Sequence, residues 1–108
     1  NEKSSIELAD KEKKNSVRIN SETGTIQLLA EKKLKIKVGD VELDINGESG
    51  NFSLKCGKLK VNSDDSMKIT SQGICKVEAQ NMMVNSGSAH KVSAGSSFIV
   101  ESSIIKLG

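Results

Sequence analysis

Few side chains here are equipped for chemistry: Cys56 and Cys75, the only histidine His90, and the carboxylate pairs Asp64/Asp65 and Glu42/Asp44. The cysteines stand 19 residues apart, with no Cys-x-x-Cys spacing and no nearby histidine. Cysteine metal sites usually rely on closely spaced ligand pairs that one turn can aim at the ion. Both cysteines have inward parity, in Phe52, Leu54, Cys56 and in Cys75, Val77, Ala79. A free cysteine so placed is a small apolar filler, which suits assembly in a reducing compartment. A disulfide between them is the alternative, and a metal is the least supported reading.

One histidine does not make a nucleophilic triad without a defined Ser and Asp arrangement, and serine is too abundant to single one out. The parity of His90 with Val92 and Ala94 points inward, so in a threefold assembly three copies would converge on the axis and offer a metal or anion site. The simpler expectation is a histidine at a corner or hydrogen-bonded within the column. "NSDDS" (62–66) lacks calcium-loop spacing and reads as a polar corner. Glu42 and Asp44 share an outer face with no pocket to raise a pKa. No catalytic residues, cofactor or enzyme activity are expected.

The elements that would hold these residues announce themselves by alternation. In "LKIKVGDVELDING" (34–47), Leu34, Ile36 and Val38 interleave with lysines, and Val41, Leu43 and Ile45 with Glu42 and Asp44. Such period-two patterning marks strands with one apolar face. It recurs at 5–9, 16–20, 25–30, 33–38, 41–46, 52–56, 58–62, 67–70, 75–79, 82–85, 91–94, 98–101 and 104–107. From Ile19 onward the segment centres lie about eight residues apart. Turn formers such as "ETG", "VGD", "NGESGN", "SQG", "NSGS" and "AGSS" separate them. "LLAEKKLKIKV" contains good helix formers, but its apolar residues alternate, so it reads as strand.

The 108 residues include two phenylalanines and no Trp, Tyr or Pro. Aromatics usually dominate core burial, so any interior is thin and aliphatic. The net charge of +2 is no footprint for nucleic acid. Nine of the 16 Lys and Arg residues precede Asp40, whereas 81–108 carry only Lys91, Glu101 and Lys106. No signal peptide, transmembrane run or lipidation motif stands out. The chain does not open on Met, so it is expected to be a piece of something longer.

Strand and corner repeating every eight residues predict an all-β chain wound as a β-helix or fibrous prism. The predicted axial core is Leu34, Ile36, Val38, Val41, Leu43, Ile45, Leu54, Leu59, Val61, Ile69, Val77, Val84, Val92, Phe98 and Val100, with Met67, Met82 and Met83 as fillers. A single-chain coil of about three strands would reach only about 20 Å at ~4.8 Å per layer and leave open edges. An intertwined, triple-stranded homotrimer, stacking strands from three chains in rotation on each face, would reach roughly 60 Å. The trimer is the favoured form. Lysines of 33–38 opposite Glu42 and Asp44 would support stacking.

"SSIELADKEKKNSVRINSETGTIQLLAEKKLKIKVGDVELDI" resembles the lead-out of the oligonucleotide/oligosaccharide-binding-like domain of contractile-injection spike proteins. These are the valine-glycine repeat protein G (VgrG) of type VI secretion and the phage tail-spike or baseplate V proteins. The shared rhythm falls on Ile6, Leu8, Asp10, Val17, Ile19, Gly24, Ile26 and Leu28. The remainder, to "AHKVSAGSSFIVESSIIKLG", is similar to their C-terminal triple-stranded β-helix and blunt tip. The chain lacks a strict Val-x-Gly octapeptide; only "KVGDV" and "KCGKL" bring glycine near that place.

The resemblance implies lead-in strands over 1–30 and a spike over 31–108. It further implies a non-enzymatic, homotrimeric needle under a tail tube, contacted through a missing N-terminal part. The needle would be assembled in the bacterial cytoplasm, then secreted or exposed on the machine or virion, and would cross a target membrane transiently. A PAAR-type tip protein or effector would dock at Ile104, Ile105, Lys106, Leu107 and Gly108, where adjacent isoleucines break the alternation; a frayed terminus is the alternative there. The competing reading is a monomeric or filament-forming β-helix acting as a binding or cytoskeletal module. A carbohydrate-binding module would need aromatic platforms, and a β-helical lyase would need long loops; the chain offers neither.

Overall fold

A computed structural model describes residues 5–108; residues 1–4 of the expected lead-in lie outside the described residues. The backbone falls into two compact units, Asn1–Asp65 and Ser66–Gly108. The described residues contain no helix.

Among the described residues, the first unit holds six strands: β1 (Ser5–Ala9), β2 (Ser16–Asn20), β3 (Thr25–Leu29), β4 (Lys33–Val38), β5 (Val41–Asn46) and β6 (Asn51–Lys55). They form two antiparallel meanders, β1-β2-β3 and β4-β5-β6. Four of the six have the bounds that alternation predicts. β3 stops one residue short of Ala30, and β6 starts and ends one residue ahead of 52–56. The helix formers around Lys33 do not prevail, because a helix would scatter Leu34, Ile36 and Val38 around its circumference, whereas a strand gathers them.

Register explains the faces. In the first meander Ile6 pairs Ile19, which pairs Ile26, and Leu8 pairs Val17, which pairs Leu28. All six therefore share one face. In the second, Leu34 pairs Ile45, Ile36 pairs Leu43, Val38 pairs Val41, Leu43 pairs Leu54 and Ile45 pairs Phe52. The opposite face carries the polar rows, among them Lys37–Glu42–Lys55 and Lys35–Asp44–Ser53. The predicted facing of lysines against Glu42 and Asp44 is present, and Lys37 Nζ lies 3.5 Å from the Glu42 carboxylate. Glu7 and Arg18 form the corresponding cross-strand ion pair in the first meander, at 3.2 Å.

Two hairpins use the same corner. In 20–25 and again in 46–51, an asparagine side chain accepts backbone N–H bonds from the residues two and three further on: Glu22 and Thr23 onto Asn20 Oδ1, Glu48 and Ser49 onto Asn46 Oδ1. A glycine with positive φ closes each loop, Gly24 at 67° and Gly50 at 75°. The asparagine starts the turn and the glycine supplies the left-handed backbone that side chains disfavour. Loops this short return each strand beside its predecessor. Strands up to Lys55 are consequently paired within one chain, which differs from the expected rotation of strands among three chains.

No residue among those described is buried, and only Ser16, Asn20, Leu34, Glu42, Leu43, Ile45, Asn46 and Cys56 are half-buried. No strand of one meander packs on a strand of the other. Among the described residues, neither sheet has a fully buried side chain on its apolar face.

Among the described residues, no strand pairing extends past Lys55. The segments predicted as further strands are stretches without a ladder, running between bends. The bends fall at 57, 64–65, 72–73, 80–81, 87–88, 95–96 and 103, so the eight-residue rhythm is legible in the backbone itself. Serines brace some of these corners. Ser71 Oγ donates to the Ile74 carbonyl at 3.2 Å, Ser86 Oγ to that of Ala89, and Ser102 Oγ to that of Ile104 at 2.7 Å.

Candidate functional site

The features most able to act are the uncovered apolar surfaces. Leu34, Ile36, Val38, Val41, Leu43, Ile45 and Leu54 of the predicted axial core are brought together on one face of β4-β5-β6, joined by Phe52. The equivalent face of β1-β2-β3, with Ile6, Leu8, Val17, Ile19, Ile26 and Leu28, was not among the predicted core positions. The same alternation marks it, but its shorter runs and long charged corner at 10–15 weaken the signal. A concavity of about 480 Å³, lined mainly by Leu8, Val17, Leu28, Leu29 and Leu34, runs from the first face to the start of β4. Asp10, Asn15, Ser16 and Lys33 line it as well.

Leu59, Val61, Ile69, Val77, Val84, Val92, Phe98 and Val100 lie in the segments without a ladder and are exposed; Ile69, for example, is 78% exposed. So are Met67, Met82 and Met83. At roughly 25 cal/mol per Å² of apolar surface, leaving this many aliphatic side chains in water forgoes most of what drives a chain to order. At the tip, Ile104, Ile105 and Leu107 are exposed, Leu107 to 92%. Lys106 and Gly108 are exposed beside them, and Gly108 has a positive φ of 89°. The Ser102 hydroxyl receives the Ile104 N–H at 3.2 Å while donating to its carbonyl, so the corner leading into the tip is held.

The chemistry-bearing residues do not assemble. Cys56 is half-buried, Cys75 is exposed, and both thiols are free. His90 is exposed. Among the described residues, no group of three or more His, Cys, Asp or Glu side chains is placed to hold a metal ion. Asp64 and Asp65 sit on the bend expected of them.

A cluster that the sequence did not single out joins the two meanders. The Asp10 carboxylate accepts the Lys14 N–H at 2.8 Å, the Asn15 N–H at 3.3 Å and the Asn15 side-chain amide at 2.8 Å. Asn15 Oδ1 in turn accepts the Glu31 N–H at 2.9 Å, and Lys14 Nζ approaches the Glu31 carboxylate at 3.6 Å. Lys13 takes a φ of 58° so that the corner can close. The Asn15 amide, followed by the backbone N–H groups of Asn15, Lys14 and Lys13, holds the Asp10 carboxyl below its ordinary value of 3.8, against an opposing loss of hydration. One bond further on, the Gly47 N–H reaches the Lys32 carbonyl at 2.7 Å and ties the segment after Glu31 to the end of β5. The usable signal was an Asp at the end of a strand with an Asn five residues later.

Comparison of the chain with models of known protein families and with curated proteins finds no match. Among the described residues no helix is long and apolar enough to cross a membrane.

Proposed function

We propose that this chain is the stem and tip of a non-enzymatic, homotrimeric piercing spike of a contractile injection machine. The observation that carries the reading is a regular backbone without an interior. Bends recur about every eight residues through 57–103, the segments between them form no ladder with their own chain, and no described side chain is buried. Such a chain reaches a stable state by lending its apolar positions and backbone groups to copies of itself. Three copies closing around an axis form a ring in which every apolar face is covered.

The mechanism is rigidity. Strands cross-linked by backbone hydrogen bonds around an axis resist axial load, and no site chemistry is needed. Ile104, Ile105, Lys106, Leu107 and Gly108, tripled at one end, offer an apolar plane for a PAAR-type tip protein or effector. The tail tube would be met through a part upstream of this chain, and the target membrane only transiently. The resemblance of the alternating lead-in and the low-aromatic stem to spike proteins supports this role.

Light scattering of the purified chain tests the reading. A mass near three times 11.6 kDa is expected, whereas a monodisperse 11.6 kDa particle overturns it.

A further inference from the structure

The corners at 20–25 and 46–51 are built alike, yet they differ in one residue that matters chemically. Asn20 is followed by Ser21, whereas Asn46 is followed by Gly47, the one Asn-Gly pair in the chain. An asparagine side chain cyclises onto the main chain most readily before glycine, which leaves the attacking nitrogen unhindered. A left-handed backbone does not explain the glycine at 47: among the described residues, positive φ falls on Lys13, Gly24, Gly39, Gly50 and Gly108. A close approach does. A β-carbon at 47 would stand 3.2 Å from the Lys32 carbonyl oxygen, the same oxygen that accepts the Gly47 N–H at 2.7 Å. The tie to the segment before β4 therefore demands a glycine, and that glycine creates the reactive pair.

We propose that Asn46 is a self-modification site, held shut by the folded β4-β5-β6 meander and converted largely to isoaspartate when that meander opens. The Gly47 nitrogen attacks Asn46 Cγ. The new N–Cγ bond forms, the Cγ–Nδ2 bond breaks, and ammonia leaves with the proton that the Gly47 nitrogen carried. Water then opens the cyclic imide, at Cγ to give aspartate or at the main-chain carbonyl of residue 46 to give isoaspartate. The acid formed releases its proton to solvent, and water is the only co-reactant.

The folded geometry blocks the first step at each group it needs. The Gly47 N–H is engaged by Lys32, and the Asn46 carbonyl accepts the Gly50 N–H at 2.9 Å. The peptide unit that would have to rotate is thus pinned at both ends. Asn46 Oδ1 holds the Glu48 and Ser49 N–H groups at 3.0 and 3.2 Å, which fixes the side chain in the corner. Asn46 also closes β5, opposite Lys33 on one side and Asn51 on the other. Freeing it takes loss of this end of the ladder. Conversion is one-way, because isoaspartate adds a carbon to the main chain and the pairs with Lys33 and Asn51 no longer meet in register. A chain left open long enough is barred from its own sheet.

Peptide mass spectrometry with an isoaspartyl methyl-acceptor assay, on the whole chain in mildly alkaline buffer, tests the site. In guanidinium Asn46 should convert first, ahead of Asn15, Asn20, Asn62 and Asn85, each of which precedes serine. Without denaturant its conversion should slow by on the order of tenfold or more, and between these limits the rate should follow the unfolded fraction. Gly47→Ala should slow conversion in guanidinium by on the order of tenfold, since its methyl group crowds the nitrogen. Equal rates in folded and denatured chain, or another asparagine converting first in guanidinium, overturn the proposal. The one-way step has its own readout. Diluted from guanidinium, the isolated isoaspartate product should fail to regain amide protection in β4–β6, whereas Asn46→Asp should regain it. Recovery of the isoaspartate product, or failure of Asn46→Asp, overturns that step. None of these readouts depends on how many copies assemble.

Discussion

Residues 5–55 and 56–108 share one alternating pattern and use it differently. In the first region each strand finds its neighbour in its own chain, through corners such as 20–25 and 46–51 that turn it back at once. In the second, bends of similar spacing turn the chain without a ladder among the described residues, which the proposed trimer would complete. Alternation fixes which side of a strand is apolar; the corner decides whose strand lies next to it. The Asn-to-Gly loops, with two N–H groups gathered on one side chain and a glycine in the left-handed region, fold back. Three of the corners after Lys55 are braced by a serine hydroxyl, at Ser71, Ser86 and Ser102.

The contrast breaks most clearly at Val77. In one isolated chain this side chain is 70% exposed, so Val77→Asp should leave the fold of a single copy untouched. In the proposed trimer it would bring three carboxylates onto the axis, a cost of several kcal/mol per copy. The expected outcome is a light-scattering mass that falls to that of one chain, with the circular-dichroism signature of the β1–β6 meanders retained. Trimers of unchanged stability would remove the distinction between the regions.

A smaller effect is expected in the self-paired region. Leu43 sits centrally on the face of β4-β5-β6, between Ile36 and Leu54. Leu43→Ala should lower stability by about 2 kcal/mol per copy, read as a lower thermal midpoint with the trimer mass preserved.

The junction at Asp10 sharpens the comparison from the other side, since it acts within one chain. The folded Asp10 carboxyl titrates below its ordinary 3.8. A lowered value means the unfolded chain binds the proton more readily, so this contribution is fully present above about pH 4 and is lost as pH falls through the folded value. Asp10→Asn should abolish that acid-side loss. Protection factors at Lys14 and Glu31, each taken against the unstructured peptide at the same pH and followed from about pH 6 to about pH 3, check it: acid should lower both in the parent chain and not in the variant. Asn15→Ala should release the same amides severalfold at neutral pH while leaving trimer mass unchanged.

The smallest change is at the charged face. Lys37→Ala removes the ion pair with Glu42, with both groups partly in water. A loss of no more than about 0.5 kcal/mol in a denaturant midpoint is expected.

Much of the architecture was legible in the residues. Leu34 to Val38 and Val41 to Ile45 state their strands and faces outright, and the lysines opposite Glu42 and Asp44 give the register between them. The rhythm of bends through 57–103 was equally visible in "SQG", "NSGS" and "AGSS". The pairing partner was not legible, because a period of two says nothing of whether the neighbouring strand belongs to the same chain. Nor was the Asp10–Asn15–Glu31 junction, whose contacts depend on where "DKEKKN" folds back; the Asp10-to-Asn15 spacing was its one trace.

The most direct measurement is amide hydrogen exchange across 66–108 in the assembled protein at neutral pH. Protection of the amides at Met67–Thr70, Cys75–Glu78 and His90–Ser93, comparable to that of β4–β6, is the predicted result. Exchange there at the rate of an unfolded peptide, with β1–β6 protected, would contradict the central claim.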